Sequence, residues 1–115
     1  MLTGCFESDP RRMGRRITLC LGPPELAEAR YTLRDSETVP DATFIKSCEG
    51  AYGMNGAAIF LRADRCSGYN VNEQLGQGHE TGPQAAPEVH AWARSRDAIG
   101  ISIRREPEVA LLRVR

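Results

Sequence analysis

Lysine is almost missing from this chain of 115 residues: of its 15 basic side chains only Lys46 is not arginine. Large apolar residues are scarce too, since Leu, Ile, Val and Phe make up only about a fifth of the chain while alanine accounts for much of the 41% hydrophobic content. Such a composition lies near that of disordered chains, but a formal net charge of zero is not theirs, so folding with a thin stability margin is expected. Neutrality also removes the long-range pull toward phosphates or an anionic membrane that a positive excess would supply. No run approaches the roughly 20 apolar residues of a membrane-spanning helix, and the N-terminal stretch lacks the apolar centre of a signal peptide. The expectation is therefore a cytoplasmic protein with no membrane partner. Cys5, Cys20, Cys48 and Cys66 include no close C-x-x-C pair, and in a cytoplasmic chain they are expected reduced.

What is present fits one domain of ordinary size with one modest core. Charge is uneven along it: residues 1–30 sum to about +1, 31–90 to about −4 and 91–115 to about +3, so the ends are basic and the middle acidic. Heavy use of arginine, alanine, glycine and proline is also what a GC-rich gene produces.

Residues 1–14 show no period and are expected to form an irregular arm ahead of a domain over 15–115. Ile17, Leu19 and Leu21 alternate with polar neighbours, which predicts a strand closed by Gly22-Pro23-Pro24. Pro24 then suits the first turn of a helix whose apolar face would hold Leu26, Ala29 and Leu33. A weak strand is expected over 43–46 and a buried one over 57–61, with 76–87 the most loop-rich segment. Val89, Trp92, Ala93 and Arg96 fall at helical spacing after Pro87, so a second helix with Trp92 as aromatic core anchor is expected. Ile99, Ile101 and Ile103 give the cleanest strand signature, and a last strand over 109–114 follows the Glu106-Pro107-Glu108 turn. Together these predict an α+β fold, a small mixed sheet of four to five strands with two helices on one face.

No complete catalytic or cofactor motif is present. Cys20 stands at the end of a strand before an expected helix N-terminus, where a thiolate is stabilised. Cys20-Leu21-Gly22, followed by a proline and Ala27-Glu28-Ala29, resembles a fragment of the low-molecular-weight protein tyrosine phosphatases over about ten residues. The resemblance implies a nucleophilic cysteine, but the arginine of that family's C-x5-R loop is replaced here by Leu26, and its late Asp-Pro has only Glu106-Pro107 as a counterpart. Cys5 and Arg11 satisfy C-x5-R by count, with Glu7 and Asp9 inside the loop to repel a phosphate. His79 and Glu80 lie in the glycine-rich segment, where polar side chains can serve as acid or base. Neither they nor His90 show a recognised metal spacing, so no metal and no cofactor are expected. Gly50-x-x-Gly53-x-x-Gly56 and Gly76-x-Gly78 lack the strand-to-helix context of a phosphate loop. Arg11, Arg12, Arg15 and Arg16 form the densest basic cluster and the leading candidate binding patch.

Four readings of function stand at this point. The first is a non-enzymatic binding or regulatory protein whose partner is another protein. The others are a nucleic-acid binder using the arginine-rich ends, a small hydrolase using Cys20 or His79 with Glu80, and an orphan reading frame with no evolved function.

Overall fold

Alternation of apolar and polar side chains, open to view in Ile17, Leu19 and Leu21, governs the described chain; helical periodicity nowhere does. The computed structural model describes residues 2–11, 14–22, 29–72 and 77–115, and among them every regular element is a strand. In chain order these are β1 (Gly4–Glu7), β2 (Arg15–Leu21), β3 (Arg30–Val39), β4 (Ala42–Asn55), β5 (Ala58–Asn72), β6 (Gln77–Pro83), β7 (Val89–Ala93), β8 (Ala98–Ile103) and β9 (Val109–Arg113). Each pairs antiparallel with its neighbours, and the meander β1 to β5, then β7, β8 and β9, closes where β9 meets β1. The result is an eight-stranded antiparallel barrel, with β6 an extra strand on the flank of β5. Closure removes the exposed sheet edges that an open meander would leave.

A barrel of this strand number has an interior just wide enough for side chains to fill. Phe6, Leu19, Ile99, Ile101 and Leu111 are wholly buried there, joined by Ile17, Leu21, Tyr31, Tyr52 and Ile59. Fully burying an aliphatic or aromatic side chain of this size contributes about 1.5–3 kcal/mol, and this is the main force holding the fold. β5 keeps the pattern in phase through a bulge. Ile59 and Ala63 face the core, Asp64 is left without a cross-strand partner between the pairs Gly50↔Ala63 and Glu49↔Arg65, and Cys66 then returns to the inside. Gly50 makes the bulge possible, because a Cβ there would collide with the Arg62 carbonyl and lie 2.9 Å from the Ala63 Cα.

The ends of the barrel are closed differently. At one, the Tyr52 hydroxyl donates to the Leu2 carbonyl at 2.9 Å. At the other, Arg15 turns inward and donates to Asp35 at 2.9 Å and to Glu106, with Arg104 beside both carboxylates. The hydrogen bonds to Asp35, more than those to Glu106, hold the Arg15 guanidinium more firmly charged than usual. This group ties the β8–β9 turn to β2 and β3. That turn places Arg104 and Arg105 at φ of 53° and 64°, the left-handed region that side-chain-bearing residues rarely adopt.

All four cysteines are paired. Cys5 lies directly opposite Cys20 and Cys48 directly opposite Cys66, with Cα–Cα separations of 4.0 and 4.1 Å, and each pair forms a disulfide across adjacent strands. The expectation of reduced thiols is thereby corrected: antiparallel pairing, invisible without the register, brings each cysteine against its partner.

The α+β expectation is overturned as well. Residues 30–33, expected to end a first helix, open β3, where Tyr31 and Leu33 point in and Thr32 and Arg34 point out; residues 23–28 lie outside the described segments. The second expected helix is β7, whose buried position is Ala91. Trp92, expected to anchor the core, sits half-buried on the outer face beside the Arg94 guanidinium, 5.4 Å from its ring centroid. Residues 4–7, expected within an irregular arm, form β1, and the loop-rich segment contains β6.

Candidate functional site

Because direct cross-strand partners point to the same side, the register assigns every outward side chain of β2 to β5 to a row. One row holds Glu7, Thr18, Arg34, Ser47 and Ser67; a second holds Arg16, Ser36, Ile45 and Tyr69; a third holds Cys20, Thr32, Glu49 and Arg65. These three rows are therefore a field of hydroxyls carrying three arginines, and a further row beyond them holds Ala51, Arg62 and Arg30, the last of which pairs with Asp64. Arg16, Arg34 and Arg65 are exposed, and among the described residues none has an ion-pair partner.

The face is not flat. The β1–β2 connection rises beside it and, with Pro10 and Gly14 as its wall, encloses a hollow of about 380 Å³ floored by Arg16, Thr18, Arg34 and Ser36. Gly14 also accepts a hydrogen bond at 2.7 Å from the Thr38 amide, which fastens the wall to β3. Arg16 is opposite Ser36 and Arg34 opposite Thr18, so the two arginines are diagonal neighbours on adjacent strands, roughly 8 Å apart at their Cα atoms. Two guanidiniums without ion pairs at that spacing, with the Ser36 hydroxyl beside them, form a donor set suited to one oxyanion, while the Thr18 hydroxyl donates to Glu7 Oε1 at 3.5 Å on the margin of the same hollow. A second hollow of about 440 Å³ continues toward β5 between Thr32, Arg34, Ser47, Glu49 and Arg65. Arg34 belongs to both.

The basic cluster singled out in the sequence is dispersed by the fold. Arg11 pairs with Asp9 at 3.2 Å, an interaction that also lowers the Asp9 carboxyl below its ordinary value; Arg12 lies outside the described residues; Arg15 is drawn into the barrel mouth. Among the described members of the cluster, the exposed Arg16 lines the hollow, and Arg15 borders it while its guanidinium is held by Asp35 and Glu106. Alternation along a strand is the reason, since Arg15 and Arg16 must face opposite sides. Arg34 and Arg65 were not singled out, although the alternation of Tyr31, Thr32, Leu33 and Arg34 carried the signal for Arg34.

The candidate catalytic residues are likewise apart. The Cys20 sulfur is bonded to Cys5, which leaves no thiolate in this state. His79 lies in β6 opposite Asn70, its side chain outside what the structure describes, and Glu80 is exposed opposite Tyr69. His90 is exposed on β7, with Nε2 3.1 Å from Glu88 Oε1. Among the described residues no group of three His, Cys, Asp or Glu side chains is arranged to hold a metal ion. Gly50 and Gly53 lie within β4 and Gly56 in the turn after it, not before a helix. Comparison of the chain with protein-family models, curated proteins and solved structures returns no match.

Proposed function

We propose that this protein is a non-enzymatic binding domain that holds a negatively charged group of its ligand in the hollow over β2 and β3. The observation that carries the reading is the diagonal pair Arg16 and Arg34, both exposed and without an ion-pair partner among the described residues, above a floor of hydroxyls at whose margin Glu7 is the one carboxylate lining the hollow. Arginine is suited to this task because its planar fork meets a carboxylate, sulfate or phosphate through two parallel hydrogen bonds. The barrel contributes rigidity: the site stands on paired strands over a filled core, so little ordering cost is left to binding. Nucleic-acid binding through the arginine-rich ends draws less support, since Arg11 and Arg15 are engaged with carboxylates of the same chain.

No helix among the described residues is long and apolar enough to cross a membrane. The barrel packs its apolar core inside and carries arginines and hydroxyls on the outer face of β2 to β5, a polar face unlike that of a lipid-facing barrel, with Phe60 and Leu112 exposed elsewhere on the outside. Two disulfides favour an oxidising compartment over the cytoplasm as the place of work.

Calorimetric titration with inorganic sulfate and with inorganic phosphate tests the proposal. Saturable binding that weakens with added salt and falls at least tenfold in the Arg16→Ala, Arg34→Ala double variant supports it. Binding that survives in the double variant, or none at low ionic strength, refutes it.

A further inference from the structure

The hollow over β2 and β3 does not end at Arg34. Moving from β2 to β5, three of the arginines without an ion pair among the described residues step diagonally: Arg16 is level with Ser36, Arg34 lies one strand on and two residues down, and Arg65 two strands further, level with Thr32, with Arg62 next outward along β5. Strand spacing and rise put about 8 Å between the first two Cα positions, about 12 Å between the next two and about 20 Å from end to end. Two hollows of about 380 and 440 Å³ lie along this line and share Arg34. A single small anion fills one hollow and leaves Arg65 unused, so the full line fits a chain with repeated negative groups.

Which chain is decided by what lies between the arginines. Glu49 stands opposite Arg65 without forming an ion pair with it, and Glu7 stands at the other margin, opposite Thr18. With Thr32, Ser47 and Ser67 they supply hydrogen-bond acceptors along the path. A ligand rich in hydroxyl donors satisfies these acceptors, whereas a nucleic-acid backbone brings few donors and gains from aromatic stacking surfaces; the three rows that hold the arginines contain one aromatic, Tyr69, and the exposed Phe60 lies further along β5, off the line. Resting on the reading of the β2–β3 hollow as an anion site, we propose that the ligand is a linear sulfated polysaccharide lying diagonally across β2 to β5. Its sulfates meet Arg16, Arg34 and Arg65, and its ring hydroxyls donate to Glu7, Glu49 and the serine and threonine oxygens.

The experiment is a length series measured by calorimetry on the intact, oxidised protein: inorganic sulfate, then a sulfated heparin disaccharide, tetrasaccharide and octasaccharide, with an unsulfated octasaccharide and a thymidine oligonucleotide of matching length beside them. The disaccharide is too short to span both hollows. The expected result is affinity that rises at least tenfold from disaccharide to octasaccharide, with that gain lost in Arg65→Ala while sulfate binding and the unfolding midpoint stay as in the parent. Sulfate binding without a length gain, or a gain that Arg65→Ala leaves intact, overturns the polysaccharide and leaves the anion site standing. An oligonucleotide that binds as tightly as the octasaccharide also overturns it, as does equal binding of the unsulfated chain. If neither sulfate nor any oligosaccharide binds, the anion site falls and the polysaccharide with it.

Discussion

Breaking either disulfide tests the register and the core together. The bridges close segments with sequence separations of 15 and 18 residues. In the chain-entropy account, a cross-link over such a loop removes enough freedom from the unfolded state to contribute about 3 kcal/mol, and the two bridges about 6 kcal/mol together. A domain of this size has a total stability of about 5–15 kcal/mol, so the pair is a large share of it. The Cys5→Ser, Cys20→Ser variant, altered on the outer face, should lose about 3 kcal/mol, equivalent to roughly 12 °C in midpoint for 115 residues. Cys48 and Cys66 are each only 7% exposed, so the Cys48→Ala, Cys66→Ala variant loses the same entropy and about 1 kcal/mol more for the vacated space. Urea unfolding at equal protein concentration reads both losses, and thiol titration of the denatured, unreduced protein should find no free thiol. Losses below about 1 kcal/mol for both variants, or four titrating thiols, would refute the pairing.

Three further outcomes follow from local geometry. Arg105 is exposed and sits at a φ of 64°, so Arg105→Gly should stabilise the β8–β9 turn by about 1 kcal/mol in urea unfolding; destabilisation would show that its 3.7 Å contact with Glu88 outweighs the backbone strain. Gly50→Ala should cost about 3 kcal/mol, because the added methyl meets backbone rather than a movable side chain; a neutral result would place the β5 bulge elsewhere. The Glu106 carboxyl is held below its ordinary value of 4.5, first by the hydrogen bond from Arg15, so its contribution is present above that value and lost as pH falls through the lower folded one. Relative to the parent, Glu106→Gln should therefore show a stability deficit near neutrality that shrinks below about pH 4.5; a deficit constant with pH would contradict the pairing.

The strands legible in the sequence were those with large aliphatics at every second position, over 17–21 and 99–103, and the last one, expected over 109–114 and found as β9. β7 was misread because its buried position is Ala91 while its largest side chain, Trp92, points outward, so size gave a helical spacing where burial had a period of two. β4 and β5 were read only in short pieces because glycines and polar residues run through them and the bulge at Asp64 reverses the alternation midway. For the site, proximity in sequence misled: Arg11, Arg12, Arg15 and Arg16 look like one patch, but a strand sends Arg15 and Arg16 to opposite sides, and the outward set collects Arg34 and Arg65 from other strands. The disulfides were illegible for the same reason, since pairing depends on register, which no local pattern of cysteines displays.

The most direct test of the anion site is a two-dimensional amide spectrum of the isotopically labelled, oxidised protein during titration with inorganic sulfate. The site predicts saturable shifts centred on the amides of Arg16, Thr18, Arg34 and Ser36. Shifts centred on Arg104 and Arg105 at the barrel mouth, or no shifts at low salt, would contradict it.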